Sequence, residues 1–182
     1  MIRAVVTVGG PPGSGKSTAG RLVAETLDLE FRSAGDLFRA EARRRGMDLA
    51  AFGRYAAAHP EVDRELDRSM QALATPGRLL DGRVQGPLCR RAGVAVYDVV
   101  VTAREDVRVR RVAARDGAPI EEARHLIRER EASERDRYLR YYGIDLEKEP
   151  ASLVVDSSDR PPNAVAGAIL VFIREREAAA SR

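Results

Sequence analysis

The chain has 182 residues, 44% hydrophobic and 32% charged, a composition typical of one globular domain with a full sheet-and-helix core. No apolar run approaches the roughly 20 residues that a membrane span needs, and the N-terminus runs straight into a predicted strand, so we expect neither a membrane partner nor a secretory signal. The single Cys89 excludes an internal disulfide and favours a cytoplasmic location.

The net charge of +3 comes almost entirely from arginine, since Lys16 and Lys148 are the only lysines. The sequence contains no tryptophan and no basic stripe with interleaved aromatic residues, the pattern that favours nucleic-acid binding. We therefore expect small phosphorylated ligands and no nucleic-acid partner.

A short β-branched strand is predicted over residues 2–8, and a glycine-rich loop follows it. Residues 10–17 read GPPGSGKS and fit G-x-x-x-x-G-K-[ST] without a mismatch, and apolar residues at helical spacing come next. Such a loop turns backbone N–H groups around a phosphate at a helix N-terminus. The predicted ATP-binding residues are Gly10, Pro11, Pro12, Gly13, Ser14, Gly15, Lys16, Ser17 and Thr18, with Lys16 on the β- and γ-phosphates and Ser17 on Mg²⁺.

A helix-rich block follows the second predicted strand, residues 29–32. Ser33 or Asp36 caps a helix that Gly46 ends, and further helices are predicted over 49–58 and 60–73. The block is longer than a simple crossover needs. It forms either a substrate-holding lobe at one end of the sheet or additional packing.

The remaining chain alternates strands with helices. Strands are predicted over 78–81, 94–101 and 152–156, and helices over 105–115, 120–142 and from Pro161-Pro162 onward. This order predicts an α/β fold, a three-layer sandwich with a five-stranded parallel sheet. We expect a single domain, 1–182, with a core of 1–32, 76–112 and 150–182, a helical lobe of about 33–75 and a short lid of about 113–135.

The carboxyl ends of parallel strands collect ligands, so residues 13–17, 33–39 and 81–83 should meet near one cleft. Arg39 and Arg83 follow strand ends and suit phosphate binding, because the guanidinium fork meets phosphate oxygens in pairs. Asp81 is either a Mg²⁺ ligand or a turn-forming residue. Further arginine candidates lie on two later helices: Arg108, Arg111 and Arg115 on one, and Arg130 and Arg137 on the other.

Several stretches together resemble the archaeal-type cytidylate kinases, a branch of the nucleoside monophosphate kinases within the P-loop superfamily. These are the loop itself, SAGDLFR at 33–39, RGMDL at 45–49, HPEVD at 59–63, DGR at 81–83, and the stretch from Arg130 to Asp145 with its RY and YGID segments. The resemblance covers nearly the full length.

The resemblance implies Mg²⁺-dependent transfer of the ATP γ-phosphoryl group to CMP and dCMP. It places Lys16, Arg39, Arg83, Arg111, Arg115 and Arg130 in catalysis, with the last three in a short lid. It assigns acceptor binding to Arg39, Arg83, Glu134 and Arg137. From their position after the second strand, Ser33, Gly35 and Asp36 are further candidates for acceptor binding, and the candidate metal ligands are Ser17 and Asp81. We expect a monomer acting on small nucleotides.

Two departures affect the base-binding region. The family often has EGRLAG where this chain has DGRVQG at 81–86, so Gln85 either contacts a base or faces solvent. Residues 87–92 also differ from the family pattern. Three alternatives stay open: an adenylate kinase-like enzyme, another small-molecule P-loop kinase, and a P-loop ATPase or binding protein without a small acceptor.

Overall fold

The computed structural model describes residues 2–181. Within them, five strands form one sheet and eight helices surround it. The strands are β1 (Val5–Gly9), β2 (Glu30–Ser33), β3 (Arg78–Asp81), β4 (Val96–Thr102) and β5 (Leu153–Asp156). The helices are α1 (Lys16–Thr26), α2 (Ala34–Arg44), α3 (Leu49–Ala58), α4 (Pro60–Gln71), α5 (Gln85–Arg91), α6 (Glu105–Asp116), α7 (Ile120–Tyr142) and α8 (Pro162–Ala179).

All strand pairings are parallel, in the order β2-β3-β1-β4-β5, which confirms the predicted fold class. The central strand β1 is buried along its whole length, as its near-continuous valine run requires. Val8 pairs with Asp81 of β3 on one side and with Val99 of β4 on the other. This register brings the ends of β1 and β3 to the same edge of the sheet.

The sheet is covered on both faces, which makes three layers. Helices α1 and α8 cover one face, where Val23, Ile169 and Ile173 pack against strand residues. On the other face, Met70 of α4 and Cys89 of α5 pack against β1 and β3. Each fully buried large aliphatic side chain contributes about 1.5–3 kcal/mol relative to exposure.

Helix α5 was not predicted from the sequence. Its seven residues include Gly86 and Pro87, and they are too few to show a helical period. Gly86 is required there because a Cβ would collide with the carboxylate of Asp98 on β4. Pro87 lies in the first turn, where its missing N–H costs little. The segment therefore packs closely on the sheet instead of forming a loop.

Helices α2, α3 and α4 lie between β2 and β3 and have a small core of their own, formed by Ala42, Phe52, Ala56 and Val62. The division into core, lobe and lid stays a prediction. In residues 2–181, no helix is both long enough and apolar enough to span a lipid bilayer.

Candidate active site

The loop between β1 and α1 has a backbone that only glycine fits at two of its positions. Gly10 has φ +138°, and a Cβ there would collide with the carbonyl oxygen of Val101. A Cβ at Gly13, with φ +78°, would lie 2.6 Å from the carbonyl oxygen of Arg108. The loop backbone therefore packs closely against β4 and α6, and it precedes the N-terminus of α1, where a phosphate is favourably bound.

Lys16, the first residue of α1, is half-buried, and its Nζ lies 3.4 Å from the carbonyl oxygen of Pro11. Burial lowers the pKa of Lys16 to about 8, although nearby Asp81 and Glu134 oppose the shift. The anionic neighbours of the Lys16 ammonium group therefore do not offset the cost of its burial. A phosphate bound at the loop would supply further negative charge.

Asp81, the last residue of β3, is hydrogen-bonded to the first turn of α1 and to the end of β2. Its Oδ2 accepts hydrogen bonds from Ser17 Oγ at 2.7 Å and from Ser33 Oγ at 2.9 Å. Asp81 is only 2% exposed, and its Oδ1 has no hydrogen-bond partner. Ser33 is also the N-cap of α2, because it accepts from Asp36 N, so Asp36 is a first-turn acid and not the cap. Hydroxyl and carboxylate oxygens together are a donor set that suits Mg²⁺.

A buried ionic cluster lies beside Lys16. Glu134 on α7 is 4% exposed and contacts two guanidinium groups, Arg130 at 2.7 Å and Arg83 at 3.4 Å. Burial opposes ionisation of Glu134, but Arg130 and Arg83 outweigh burial and hold its pKa below the ordinary value. The Nη1 of Arg83 is buried without a hydrogen-bond partner. Arg83, which follows β3, and Arg130 of α7 therefore meet at Glu134, near Lys16.

A second buried ion pair links α4 to α7. Arg137 Nε lies 2.9 Å from Asp63 Oδ2, and both side chains are about nine-tenths buried. Burial raises the pKa of Asp63, an effect that Arg137 partly offsets. Asp63 was not predicted as a site residue, because its role depends on a contact between two helices far apart in the sequence.

Two arginines of α6 bind the outer side of the loop. Arg108 donates to the carbonyl oxygen of Pro12 at 3.3 Å and pairs with Glu131 at 2.6 Å. Arg111 donates to Ser157 Oγ and to the carbonyl oxygen of Ser157, at 2.9 and 2.8 Å. The Ser157 hydroxyl donates in turn to the carbonyl oxygen of Ser14 at 2.7 Å, which ties the segment after β5 to the loop.

Other predicted residues lie at the rim of the site. Arg39 contacts Asp36 at 2.6 Å with 46% of its side chain exposed, next to Gly35. Arg115 pairs with Asp116 and is 62% exposed. The structure therefore brings Lys16, Ser17, Asp81, Arg83, Arg130 and Glu134 together, and leaves Arg39 and Arg115 outside the buried cluster.

Gln85 does not face solvent: it is fully buried at the start of α5. Its amide nitrogen donates to Asp67 Oδ1 at 3.2 Å, and its amide oxygen accepts from Gln71 Nε2 at 2.6 Å. Asp67 Oδ2 accepts from the Tyr142 hydroxyl at 2.9 Å. We call Asp67, Gln71, Gln85 and Tyr142 the amide cluster. It opens onto a cleft of about 430 Å³ between α4, α5 and α7.

Comparison with known proteins adds family information to this geometry. Residues 9–138 match the family model described as "AAA domain". The chain is 44% identical over 140 residues to the cytidylate kinase of Aeropyrum pernix, covering 76% of this chain and 80% of that protein. It is 35% identical over 178 residues to the cytidylate kinase of Methanocorpusculum labreanum, covering 94% and 99%.

Among solved structures, a shikimate kinase from Acinetobacter baumannii in complex with shikimate has a similar fold. The TM-score is 0.63 at 19% identity, over 96% of this chain and 94% of the other. At this identity the likeness concerns the fold alone.

Proposed function

Because the chain belongs to the cytidylate kinase family, we propose that it transfers the γ-phosphoryl group of ATP to CMP, and also to dCMP, with Mg²⁺ as its metal cofactor. The products are ADP and CDP or dCDP. We further propose that it acts as a cytoplasmic monomer on free nucleotides.

The convergence of unsatisfied buried polar groups around the loop is the observation that carries this proposal. Lys16 has a lowered pKa, Arg83 Nη1 and Asp81 Oδ1 lack hydrogen-bond partners, and the three residues come from adjacent strand ends. Buried polar groups are normally paired, so a cluster of this kind indicates a ligand that completes it. Two phosphate groups and a cation complement it in charge.

The proposed mechanism is positioning with charge neutralisation. The loop N–H groups and Lys16 hold the ATP phosphates, while Arg83 and Arg39 hold the acceptor phosphate in line with the γ-phosphorus. The acceptor phosphate is already a nucleophile at neutral pH, so the protein needs no general base. Arg111, Arg115 and Arg130 neutralise the charge that spreads over the transferred group.

Ser17 and Asp81 fit the proposed Mg²⁺. Their oxygens lie 2.7 Å apart, and the free Oδ1 of Asp81 offers a further acceptor, directly or through water. Bound there, the ion would neutralise phosphate charge during transfer. The Ser33 hydroxyl keeps Asp81 oriented from the side of β2.

The proposed mechanism also requires Arg39 and Arg115, at the edge of the site, to move toward the phosphates. Arg39 and Arg115 pair with exposed neighbouring acids, contacts that contribute little and are easily exchanged for a phosphate. We propose that residues 33–75 move Arg39 inward as the acceptor lobe, with Ser33, Gly35 and Asp36 in its binding segment. In the same way, residues 113–135 close as a lid and exclude water from ATP. Glu134 and Arg137 then border the acceptor.

A coupled assay of ADP release with CMP, dCMP, UMP and AMP tests the proposal. We expect turnover with CMP and dCMP, its loss by orders of magnitude in K16A, and its retention in R104A, whose exposed side chain pairs with Asp159. Comparable rates with AMP would favour the adenylate kinase-like alternative. ATP hydrolysis without any acceptor dependence would contradict the kinase assignment.

A further inference from the structure

The amide cluster is a set of hydrogen-bonding groups that phosphoryl transfer does not use. It lies beside the acceptor-phosphate residues: Gln85 follows Arg83 by two positions, and a Cβ on Gly82 would lie 2.9 Å from Gln85 Cγ. The Tyr138 phenol lies near both Glu134 and Asp67. Its pKa is raised mainly by burial and further by these two carboxylates. The amide cluster and the phosphate-binding cluster are therefore neighbours.

The cleft beside the amide cluster has the character of a base-binding pocket. Asp67 and Gln71 provide polar groups, while Leu88 and the ring of Tyr142 provide apolar surface against which a flat ring can pack. Charged side chains, among them Glu61 and Arg64, lie along the same cleft.

We propose that Asp67 binds the 4-amino group of the acceptor's cytosine in this cleft, and that Gln85 positions the Asp67 carboxylate for that contact. This inference rests on the proposed function. The residues assigned above are given roles toward phosphate groups, the metal or the acceptor as a whole, so the inference adds a residue that selects the base.

The chemistry of Asp67 favours cytosine over uracil. Burial raises the pKa of Asp67 to about 6, and the Tyr142 hydroxyl limits that rise, so the group is ionised at pH 7.5 and only accepts hydrogen bonds. Cytosine presents an amino donor at position 4, whereas uracil presents a carbonyl oxygen that the carboxylate repels. A site built to bind an N–H group rejects an analogue without it, because its buried polar group is left unpaired.

The orientation of Asp67 is fixed from two sides. Gln85 donates to one carboxylate oxygen and Tyr142 to the other, and Gln71 in turn fixes the Gln85 amide. Gln71 Oε1 accepts only a weak bond, 3.6 Å from the Cys89 sulfur. The carboxylate therefore has a defined direction and retains lone pairs for a ligand donor.

A substrate-analogue cycle tests the inference. The kcat/KM of the wild type and of D67N is measured with CMP, with UMP, and with the 2-pyrimidinone ribonucleotide, which is CMP without its 4-amino group. A hydrogen bond to a charged group predicts that the wild type loses about 10- to 150-fold on the analogue. In D67N this loss should largely disappear, the CMP-to-UMP ratio should fall by a similar factor, and the KM for MgATP should stay unchanged.

Glu65→Gln is the control, because it removes an exposed carboxylate from the same helix at a position outside this cleft. It should leave the CMP-to-UMP ratio unchanged. If D67N fails to fold by circular dichroism, Gln85→Met carries the test, since loss of the positioning amide should lower the same ratio. A merely structural role would reduce CMP and UMP turnover in parallel.

The outcomes separate the inference from the proposed function. If the wild type phosphorylates CMP but uses the analogue equally well, or if the CMP-to-UMP ratio is unchanged in the folded variants, the inference is wrong and the kinase function stands. If the wild type phosphorylates no nucleoside monophosphate, both fail.

Discussion

Replacing Lys16 with methionine should stabilise the nucleotide-free protein while abolishing its activity. Burial lowers the pKa of Lys16 from its ordinary 10.5 to about 8. At about 1.4 kcal/mol per pKa unit, holding the proton in the folded state below pH 8 costs about 3 kcal/mol. Methionine fills a similar volume without the charge. At pH 7, K16M should therefore unfold with a free energy up to about 3 kcal/mol higher than the wild type.

The difference in unfolding free energy between K16M and the wild type should decrease as the pH rises. The folded pKa of Lys16 lies below the unfolded one, so the penalty is fully present below pH 8. It is relieved as the pH rises toward 10.5, because only the unfolded chain then keeps the proton. The difference between K16M and the wild type should accordingly shrink to about 1.4 kcal/mol at pH 9.5.

Urea unfolding followed by far-UV circular dichroism, at pH 7 and pH 9.5 without nucleotide, measures both quantities. Comparing two variants at each pH cancels the titration of all other groups that they share. A K16M protein that is less stable at pH 7, or a difference that does not change with pH, would refute the reasoning. With saturating MgATP the order should reverse, since only the wild type gains stability by binding.

Three further changes have defined outcomes. Asp81→Asn should lower kcat by about 100-fold or more and raise the Mg²⁺ concentration for half-maximal rate; an unchanged Mg²⁺ titration would remove Asp81 from the metal site. Arg39→Ala should reduce kcat/KM for CMP by about 100-fold while changing the unfolding free energy by less than about 0.5 kcal/mol, with Arg104→Ala as the control that keeps full activity. Gly10→Ala should cost more than about 3 kcal/mol of stability and eliminate nucleotide binding, because its Cβ collides with the Val101 carbonyl, and a normal melting temperature would argue against this.

Elements with an extended apolar pattern or a specific motif could be predicted from the sequence. β1 is a valine run, the loop matches its pattern at every position, and Gly143 ends α7 in the left-handed conformation expected of a helix C-terminus. Asp81 and Ser17 could be placed together because both follow strand ends of a parallel sheet.

Contacts between distant helices were not predictable. Asp63 and Asp67 lie one turn apart on α4, and nothing in their spacing shows that they face Arg137 and Tyr142 of α7. The sequence makes Arg108 a candidate for phosphate binding, whereas its guanidinium group donates to the Pro12 carbonyl and pairs with Glu131. Such contacts depend on where each helix packs, which local periodicity does not determine.

The central position of β1 has a consequence for synthesis on the ribosome. Its hydrogen-bonding neighbours are β3 and β4, which end at Asp81 and Thr102, so the first strand emerges long before either edge can be paired. The loop between β1 and α1 packs against the Val101 carbonyl and against α6. It can therefore adopt its folded conformation only after more than half of the polypeptide has been translated. In a nascent chain stalled before Thr102, the edge of β1 that pairs with β4 should therefore stay incompletely paired, which makes the chain a chaperone substrate and unable to retain nucleotide.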